Sequence, residues 1–403
     1  IKSILHRLLY ARHPWRLIGF SELSELYTST MLRSMGLSLI GVFVPIYLYK
    51  IGYDLPTILL FIAGQFVARL IFDVASGYLV ARFGPKHTIL LSNVVLIMAL
   101  GVLLTLPSFG WPLWLLAIPF GATQSLFFIA YHVDFSKIIH QDHGGKELGF
   151  MTIVERLGAA LGPVIGGLIA TFIGAEYTFA FAMLLLVGAV IPLFLSAEPV
   201  RSHQRIHLRG VPYRKLWRDW LSRFVNGMDN VVSLALWPLY VGVIIFTANT
   251  YAGIGFVTSL GVVAAILAAR FIGQVVDKNR GRMLLNWSVA ANSVVHATRP
   301  FVGSIGGVAL VNTSNDAIAT GYMMPYAKGM YARADELPGL RIAYIVAAEI
   351  AIDLGKVMIA LIAWLLCFVI DPVHAIVATF IIVACTTPLM TVQNFPALKR
   401  LWP

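Results

Sequence analysis

The chain has 403 residues, of which 59% are hydrophobic and 12% charged, and its mean hydropathy is +0.81. A soluble domain carries about 25% charged residues, so this composition excludes a soluble globular protein with an ordinary hydrated surface. The formal net charge of +11 would suit a nucleic-acid partner, but the placement of the bases, described below, argues against one.

Apolar runs recur along the whole chain at a length that suits a membrane span. The runs at 87–106 and 177–196 contain the ~20 apolar residues that cross a bilayer core. The pattern predicts an all-α integral membrane protein with twelve transmembrane helices. The predicted helices cover residues 22–49, 54–80, 87–106, 111–136, 148–172, 176–196, 219–246, 250–276, 282–299, 303–328, 340–369 and 373–395.

Lys and Arg concentrate in the tails and in alternate loops between the predicted helices. The loops on the other side hold only Lys50 and Arg299. This asymmetry follows the positive-inside rule and predicts that both termini are cytoplasmic. We expect a protein of the plasma (inner) membrane that contacts the lipid bilayer and binds no nucleic acid.

The predicted helices fall into two sets of six that resemble each other. FVPIYLY (43–49) aligns with LWPLYVG (236–242), and GYLVARFGPK (77–86) aligns with GQVVDKNRGR (273–282). Two pseudo-symmetric halves around a binding site are a common transporter architecture, because rocking one half on the other gives alternating access. The predicted units are a six-helix bundle over 1–196, a basic cytoplasmic linker over 197–218 and a second six-helix bundle over 219–403.

A motif of glycines and bases follows the second helix of each half. The first copy has Ala81 at the position where the second copy has an acid, Asp277. Its members are Gly77, Arg82, Gly84 and Lys86. The second copy keeps the acid, and its members are Gly273, Asp277, Lys278, Gly281 and Arg282. The plain alternative is that these bases only anchor the loops by the positive-inside rule.

The fifth predicted helix contains ERLGAALGPVIGG (155–167), which places helix-breaking residues inside an apolar span. Its glycines would give a stripe without side chains on which a neighbouring helix can lie closely. Its proline leaves a carbonyl unpaired, so the helix can bend there. The alternative is generic close packing. The motif residues are Gly158, Gly162, Pro163, Gly166 and Gly167.

These motifs make the chain similar to the major facilitator superfamily over nearly its full length. The glycine spacing of the fifth helix is similar to that of the drug:proton antiporter branch. The resemblance implies that the first, fourth, seventh and tenth helices line a central cavity. It also implies that the loop motif latches the halves on the cytoplasmic side and that the fifth helix favours export.

Polar and charged residues inside the spans are functional candidates, because a charge near the bilayer centre costs ~3 kcal/mol or more. Arg33 and Asp229 lie at similar depths on the first and seventh helices, and they could instead form a structural bridge between the halves. The predicted substrate-facing residues are Arg33, Gln124, Asp229, Asn312, Asn315 and Asp316.

Acids at matching depth on the fifth and eleventh helices are the predicted proton-coupling residues. They are Glu155, Glu349 and Asp353. Lys356 shares a face with the two acids of the eleventh helix and can neutralise one of them, which leaves the other as a proton site. Glu155 could instead bind a base of the cytoplasmic latch. Arg69 and Asp73 are spaced i, i+4 and are expected to pair locally on the second helix.

The remaining reactive residue types indicate no enzyme chemistry. Cys367 and Cys385 lie in apolar runs, where cysteines pack as small apolar side chains. His132 and Asp134 are two residues apart on a helix and point to different faces, which argues against a dyad. The chain shows no metal-ligand spacing, no phosphate loop and no nucleophile motif. We predict no enzyme activity, no cofactor and no metal site.

The sequence therefore predicts a monomeric secondary active transporter that exports small organic molecules in exchange for protons. The alternative is uptake or exchange of an organic anion, because Arg33 and Arg69 suit a carboxylate or a phosphate ester. A more distant alternative is a membrane receptor or an intramembrane enzyme that transports nothing.

Overall fold

The structure, a computed structural model, describes residues 20–138, 144–194, 206–246, 250–277, 281–337 and 339–399. Across these ranges the regular structure is helical, as predicted. Twelve helices, α1 to α12, account for most of it. They are α1 (Phe20–Gly41 and Phe43–Lys50), α2 (Leu55–Phe83), α3 (Pro85–Phe109), α4 (Trp114–Ile138), α5 (Gly144–Phe172), α6 (Ala175–Val190), α7 (Trp217–Val231 and onward to Ile245), α8 (Thr250–Asp277), α9 (Gly281–Thr298), α10 (Ile305–Asp335), α11 (Arg341–Leu366) and α12 (Pro372–Thr386).

The outer surface of the bundle is apolar, as a bilayer requires. Seven helical segments of the described part are long and apolar enough to cross a membrane. They are Thr28–Lys50, Leu55–Phe83, Pro85–Phe109, Trp114–Asp134, Trp217–Ile245, Thr250–Ala269 and Pro372–Val392. Large apolar side chains such as Phe172, Leu184 and Phe271 are exposed on the surface. An apolar surface of this extent is incompatible with water and suits contact with lipid.

The twelve helices form two sets of six with the same internal packing. In the first set α1 packs on α5 and α2 packs on α4, and in the second set α7 packs on α11 and α8 packs on α10. The sets meet chiefly through the pairs α2–α11 and α5–α8. These two pairs exchange when each helix is replaced by its counterpart in the other set. The fold is thus a pseudo-symmetric pair of six-helix bundles, which we call the first and second halves.

Contacts between the halves close the bundle at both ends. We call the face that holds the α2–α3 and α6–α7 connections the linker face, and the opposite one the far face. At the far face the rings of Phe43 on α1 and Tyr251 on α8 lie 5.7 Å apart, edge to face. Toward the linker face His132 Nδ1 on α4 lies 2.7 Å from Tyr331 Oη on α10. The two halves are therefore in contact near both faces in this conformation.

The first helix of each half is irregular near its aligned proline. α1 is interrupted at Val42, and α7 contains two wide π-helical turns, Val232–Leu236 and Val241–Ile245. A proline inside a helix lacks an N–H group and clashes with the carbonyl four residues earlier. For Pro45 and Pro238 that carbonyl falls at the break of α1 and within the first wide turn of α7. Neither irregularity is among the features predicted from the sequence.

The α7–α11 pair depends on two glycines that let the backbones touch. A Cβ atom added to Gly355 would lie 1.8 Å from the carbonyl oxygen of Phe224, and one added to Gly227 would lie 1.9 Å from that of Ile352. No side chain larger than hydrogen fits at these distances, so the two helices cross in direct backbone contact.

Gly355→Ala should therefore destabilise the protein by about 1–3 kcal/mol, because overpacking forces the backbones apart. The measurement is the thermal unfolding midpoint of the detergent-solubilised protein. The matched control is Gly101→Ala on α3, where a Cβ would meet nothing within 4 Å. An equal midpoint for the two variants would contradict the direct contact.

Candidate functional site

Arg69 on α2 connects the two halves through acids of α11. Its Nη2 donates to Glu349 Oε2 at 2.8 Å, and its Nε donates to Asp353 Oδ2 at 2.6 Å. Its Nη1 donates to Gln124 Oε1 of α4 at 3.2 Å. Arg69, Glu349 and Asp353 are each at most 3% exposed. Charge attraction is strong where water is excluded, so these bonds hold α2 against α11.

Two bases of the second half bind the other oxygens of the same acids. Arg223 Nη2 of α7 donates to Glu349 Oε1 at 2.6 Å, and Lys356 Nζ donates to Asp353 Oδ1 at 2.8 Å. Lys356 thus neutralises Asp353, as the spacing on α11 predicts, but Glu349 is not left alone. Each acid binds two bases. We call these five residues the ionic cluster: Arg69, Arg223, Glu349, Asp353 and Lys356.

His132 borders the ionic cluster on the side of the linker face. Its Nε2 lies 3.5 Å from Glu349 Oε1, and its Nδ1 makes the contact with Tyr331 Oη. The ring thus touches residues of α10 and α11 from its place on α4. His132 belongs to the closure between the halves.

The predicted local pair between Arg69 and Asp73 is wrong, because Arg69 is turned toward α11. Asp73 is fully buried. Its Oδ1 accepts a hydrogen bond from Ser125 Oγ of α4 at 2.7 Å. Its Oδ2 has no hydrogen-bond partner among the described residues. Asp73 is therefore a buried acid beside the ionic cluster that none of the cluster's bases binds.

Asp229 on α7 accepts three hydrogen bonds inside the second half. His296 Nε2 lies 2.5 Å from Oδ1, Asn292 Nδ2 donates to Oδ1 at 2.8 Å, and Tyr322 Oη donates to Oδ2 at 2.7 Å. Arg299 Nη1 lies 2.9 Å from His296 Nδ1. A guanidinium has no acceptor, so Nδ1 must accept and the ring proton sits on Nε2, directed at Asp229. His296 in this arrangement is neutral.

Arg299 links Asp229 to the predicted polar residues of α10. The positive-inside reading placed Arg299 in an outer loop, but the side chain is 0% exposed. Its Nη2 donates to Asn315 Oδ1 at 2.8 Å, and Asn315 Nδ2 donates to Asp316 Oδ1 at 3.0 Å. Burial of this base explains why charge counting misassigned it. The Asp229 network comprises Asp229, Asn292, His296, Arg299, Asn315, Asp316 and Tyr322.

The last polar candidates of α10 lie at its contacts with other helices. Trp237 Nε1 of α7 donates to Asn312 Oδ1 at 2.7 Å. Asp316 faces Gly261 of α8, where an added Cβ would lie 2.4 Å from Oδ2. Asp316 also lies in the field of Arg156 on α5. Asp316 therefore lies beside the α5–α8 contact between the halves. Gln124 lies beside the α2–α11 contact.

Arg33 on α1 occupies the core of the first half, where the second half has Asp229. Its Nη2 donates to Ser92 Oγ of α3 at 3.0 Å, and its guanidinium lies 3.8 Å from the ring centre of Phe127. Its Nε and Nη1 have no partner among the described residues. The alternative bridge between Arg33 and Asp229 is wrong, because Asp229 is satisfied within its own half. The six predicted substrate-facing residues are thus divided among separate places.

The glycine motif of α5 faces two different helices. Gly158 and Gly162 lie against α1, where an added Cβ would be 2.5 Å from Met31 O and 1.9 Å from Ser38 Oγ. Gly166 continues this stripe against Leu39 of α1. These close approaches hold α5 inside the first half.

The other two motif residues of α5 face the second half. A Cβ on Gly167 would lie 2.5 Å from Tyr251 O, and one on Gly255 of α8 would lie 2.1 Å from the carbonyl oxygen of Pro163. The α5–α8 contact is therefore backbone against backbone near the far face.

The loop motif after α2 contains a turn that glycine favours. Gly84 has φ 92°, a left-handed conformation that costs a side-chain-bearing residue energy. Gly77 lies against α11, where an added Cβ would be 2.5 Å from Val346 Cγ2. Arg82 is exposed, whereas Lys86 and Arg282 are partly buried. Gly273 and Asp277 belong to α8. The described part of the chain does not include Lys278. It also does not include the side chains of Asp277 and Glu155 or the surroundings of Gly273.

Sequence reasoning missed Arg223, His296, Tyr322 and Tyr331. Arg223 lies close to the start of a predicted span and was indistinguishable from an anchoring base. His296 carries a usable signal, a titratable ring within a predicted membrane span. The partners of all four residues lie on other helices, so local spacing could not reveal them.

Comparison with known proteins covers most of the chain. Residues 26–327 match the sequence model of the Major Facilitator Superfamily. No curated protein sequence matches the chain.

Several solved structures are similar to the chain, each at 12% sequence identity. A structure of FucP, described as a transporter of that superfamily in the outward conformation, has a TM-score of 0.68 and covers 92% of this chain and 97% of its own. A second structure of FucP, described as the E. coli fucose:proton symporter, has a TM-score of 0.66 with the same coverage. A bacterial homologue of human drug peptide transporters has a TM-score of 0.66 and covers 92% of this chain and 96% of its own. At this identity the likeness concerns the fold.

Proposed function

The chain belongs to the major facilitator superfamily, and from this premise we propose that it is a proton-coupled secondary transporter of small organic molecules. It works by alternating access between the linker face and the far face. Membership of the family makes the protein an integral membrane transporter. The coupling ion, the direction and the substrate class are the parts that we propose.

The observation that carries the proposal is the ionic cluster between α2 and α11. Opening the linker face separates Arg69 from Glu349 and Asp353, which are buried acids. Separating buried charges is costly unless a proton or a substrate compensates them. A gate built from such pairs is sensitive to the protonation of nearby acids, and this sensitivity supports the proposed proton coupling.

Export is the proposed direction, and its support is the glycine motif of α5. Gly167 and Pro163 lie in the α5–α8 contact, so the motif shapes the closure at the far face. With both termini in the cytoplasm of a plasma (inner) membrane, as the distribution of bases indicates, the far face is the outer one. The protein is proposed to act as a monomer.

Transport in proteoliposomes with an imposed pH gradient tests this function. The purified protein should move at least one member of a broad panel of small organic molecules against its concentration gradient, and collapse of the pH gradient with an ionophore should stop the movement. Empty liposomes are the control. Movement that persists without the pH gradient would refute proton coupling.

Uptake or exchange of an organic anion is the second candidate, and Arg33 favours it. Its guanidinium is 2% exposed, two of its nitrogens lack partners among the described residues, and it forms no ion pair with them. A buried cation of this kind is costly, and a carboxylate or phosphate ester of the substrate would compensate it.

Arg33→Gln should abolish stabilisation by anions in a thermal-shift screen, because the amide cannot balance the anion's charge. Arg33→Lys is the matched control, since it keeps the charge and should retain part of the shift. The screen uses mono- and dicarboxylates and sugar phosphates on the detergent-solubilised protein. Anion stabilisation that survives in Arg33→Gln would rule out this site.

A further inference from the structure

Asp73 is a buried acid that takes no part in the ionic cluster. It lies one helical turn from Arg69 on α2, and the bases of the cluster are engaged by Glu349 and Asp353. We propose that Asp73 carries the transported proton and that Arg69 exchanges partners between the acids of α11 and Asp73 as the linker face closes and opens. The inference rests on the proposed function, because it names the proton site of the same gate.

In the closed conformation Asp73 is buried and its Oδ2 has no partner among the described residues. On its own helix the neighbouring charge is Arg69, whose guanidinium bonds the acids of α11 but still attracts the Asp73 carboxylate. On α11 the neighbouring charges are Asp353 and Glu349, and on α4 the neighbour is the hydroxyl of Ser125. Nearby carboxylates disfavour a further negative charge, and an ionised carboxylate without a bound base is costly to bury. The unpartnered Oδ2 is where the proton sits.

Opening the linker face reverses this balance. When α2 leaves α11, Arg69 loses both of its carboxylates. The nearest acid of its own half is Asp73, and a spacing of i, i+4 places the two side chains on one face of the helix. Each half then carries balanced charges without an added proton. Arg69 pairs with Asp73 in the first half, while Arg223 and Lys356 keep Glu349 and Asp353 in the second.

The proton transfer itself is a simple dissociation. The O–H bond of the Asp73 carboxyl breaks, its electron pair stays on the carboxylate, and water entering at the open face takes the proton. Arg69 remains a cation throughout and changes only its partner. After the linker face has closed and the far face has opened, Asp73 takes up a proton from water on that side, so each cycle moves one proton from the far face to the linker face.

The acids of α11 are less suited to this role than the sequence suggests. Glu349 and Asp353 each bind two bases in the closed state, and in the open state each still keeps a base of its own half. Neither acid is left without a base in either conformation. Asp73 alone among these three acids gains and loses its base with the movement.

Infrared spectroscopy of the purified full-length protein tests the proton site without a substrate. A protonated carboxyl gives a C=O band distinct from that of a carboxylate. We expect such a band at neutral pH in the unmodified protein, its loss in Asp73→Asn and its retention in Asp316→Asn, which removes an acid of the other network. A band that remains in Asp73→Asn would overturn the proposal.

Spin-label distances test the exchange of partners. Nitroxides attached at the exposed positions 83 and 336, in a background with Cys367 and Cys385 changed to serine, report the opening of the linker face. Raising the pH should lengthen this distance in the parent protein, because the deprotonated Asp73 draws Arg69 away from α11. Asp73→Asn imitates the protonated state, which favours the closed face, so its distance should not lengthen as the pH rises. A pH response that persists in Asp73→Asn would contradict the exchange.

A milder variant covers the case in which Asp73→Asn does not fold. Ser125→Ala removes the one hydroxyl that donates to Asp73, and it should shift the frequency of the carboxyl band without abolishing it. An unchanged frequency counts against Asp73 as the source of the band. Both readouts are independent of substrate, so a negative transport panel with positive readouts refutes only the proposed function, while coupled transport with negative readouts refutes only this proton site.

Discussion

Arg69→Gln should hold the linker face open and abolish proton-driven transport. Arg69 is the base of the first half that binds the α11 acids, so its loss removes the ion pairs across the gate. These ion pairs hold α2 against α11, and a loss of ~3 kcal/mol of attraction shifts a two-state ratio by roughly two powers of ten. The spin-label distance between positions 83 and 336 should then report the open state at every pH.

Arg218→Gln is the matched control for this change. Arg218 is an exposed base at the linker face whose guanidinium lies 5.4 Å from the ring centre of Trp217, and it takes no part in the ionic cluster. The Arg218→Gln variant loses the same charge and should keep the closed-state distance between positions 83 and 336. A closed Arg69→Gln protein that still transports would show that the ionic cluster is not the gate.

Arg299→Met should cause the largest loss of stability of any single change considered. The side chain is fully buried, it donates to His296, Asn315 and Ser233, and it lies 5.4 Å from the ring centre of Trp237. Methionine can fill much of the volume but leaves Asp229 as a buried charge without its distant cation. We expect a loss of about 3–5 kcal/mol, measured as the shift in unfolding of the detergent-solubilised protein.

Two further variants separate this effect from the loss of any arginine. Arg341 pairs with Asp335 where both are partly exposed, so Arg341→Met should cost only about 0–1 kcal/mol. Adding Asp229→Asn to Arg299→Met should recover part of the loss, because the uncompensated charge is then gone. A double variant no more stable than Arg299→Met would show that the two charges are not coupled through His296.

The helices and the two-fold repeat could be predicted because their signals are local. A run of about 20 apolar residues specifies a span wherever it occurs, and the aligned prolines repeat within the chain. The acids of α11 could be predicted on one face for the same reason, since i, i+4 and i+7 spacing fixes them there.

The pairing of charges could not be predicted, because it depends on which helices meet. Arg69 chooses between Asp73, four residues away, and Asp353, which is 284 positions distant, and only the packing of α2 on α11 decides. The burial of Arg299 could not be predicted for the same reason. Hydropathy places a base after an apolar run in a loop, whereas the packing of α7 and α10 buries it.

The two wide turns of α7 hold more residues than ordinary helical turns. Each wide turn accommodates one residue more than an ordinary helical turn, and an α-helix rotates by about 100° per residue. If one turn tightened, everything beyond it would rotate by that angle relative to Asp229, which is held by three hydrogen bonds. Trp237 and Tyr240, which pack against Phe380 of α12, would then leave their present contacts. The wide turns therefore allow the far end of α7 to rotate while the near end, which holds Asp229, stays fixed.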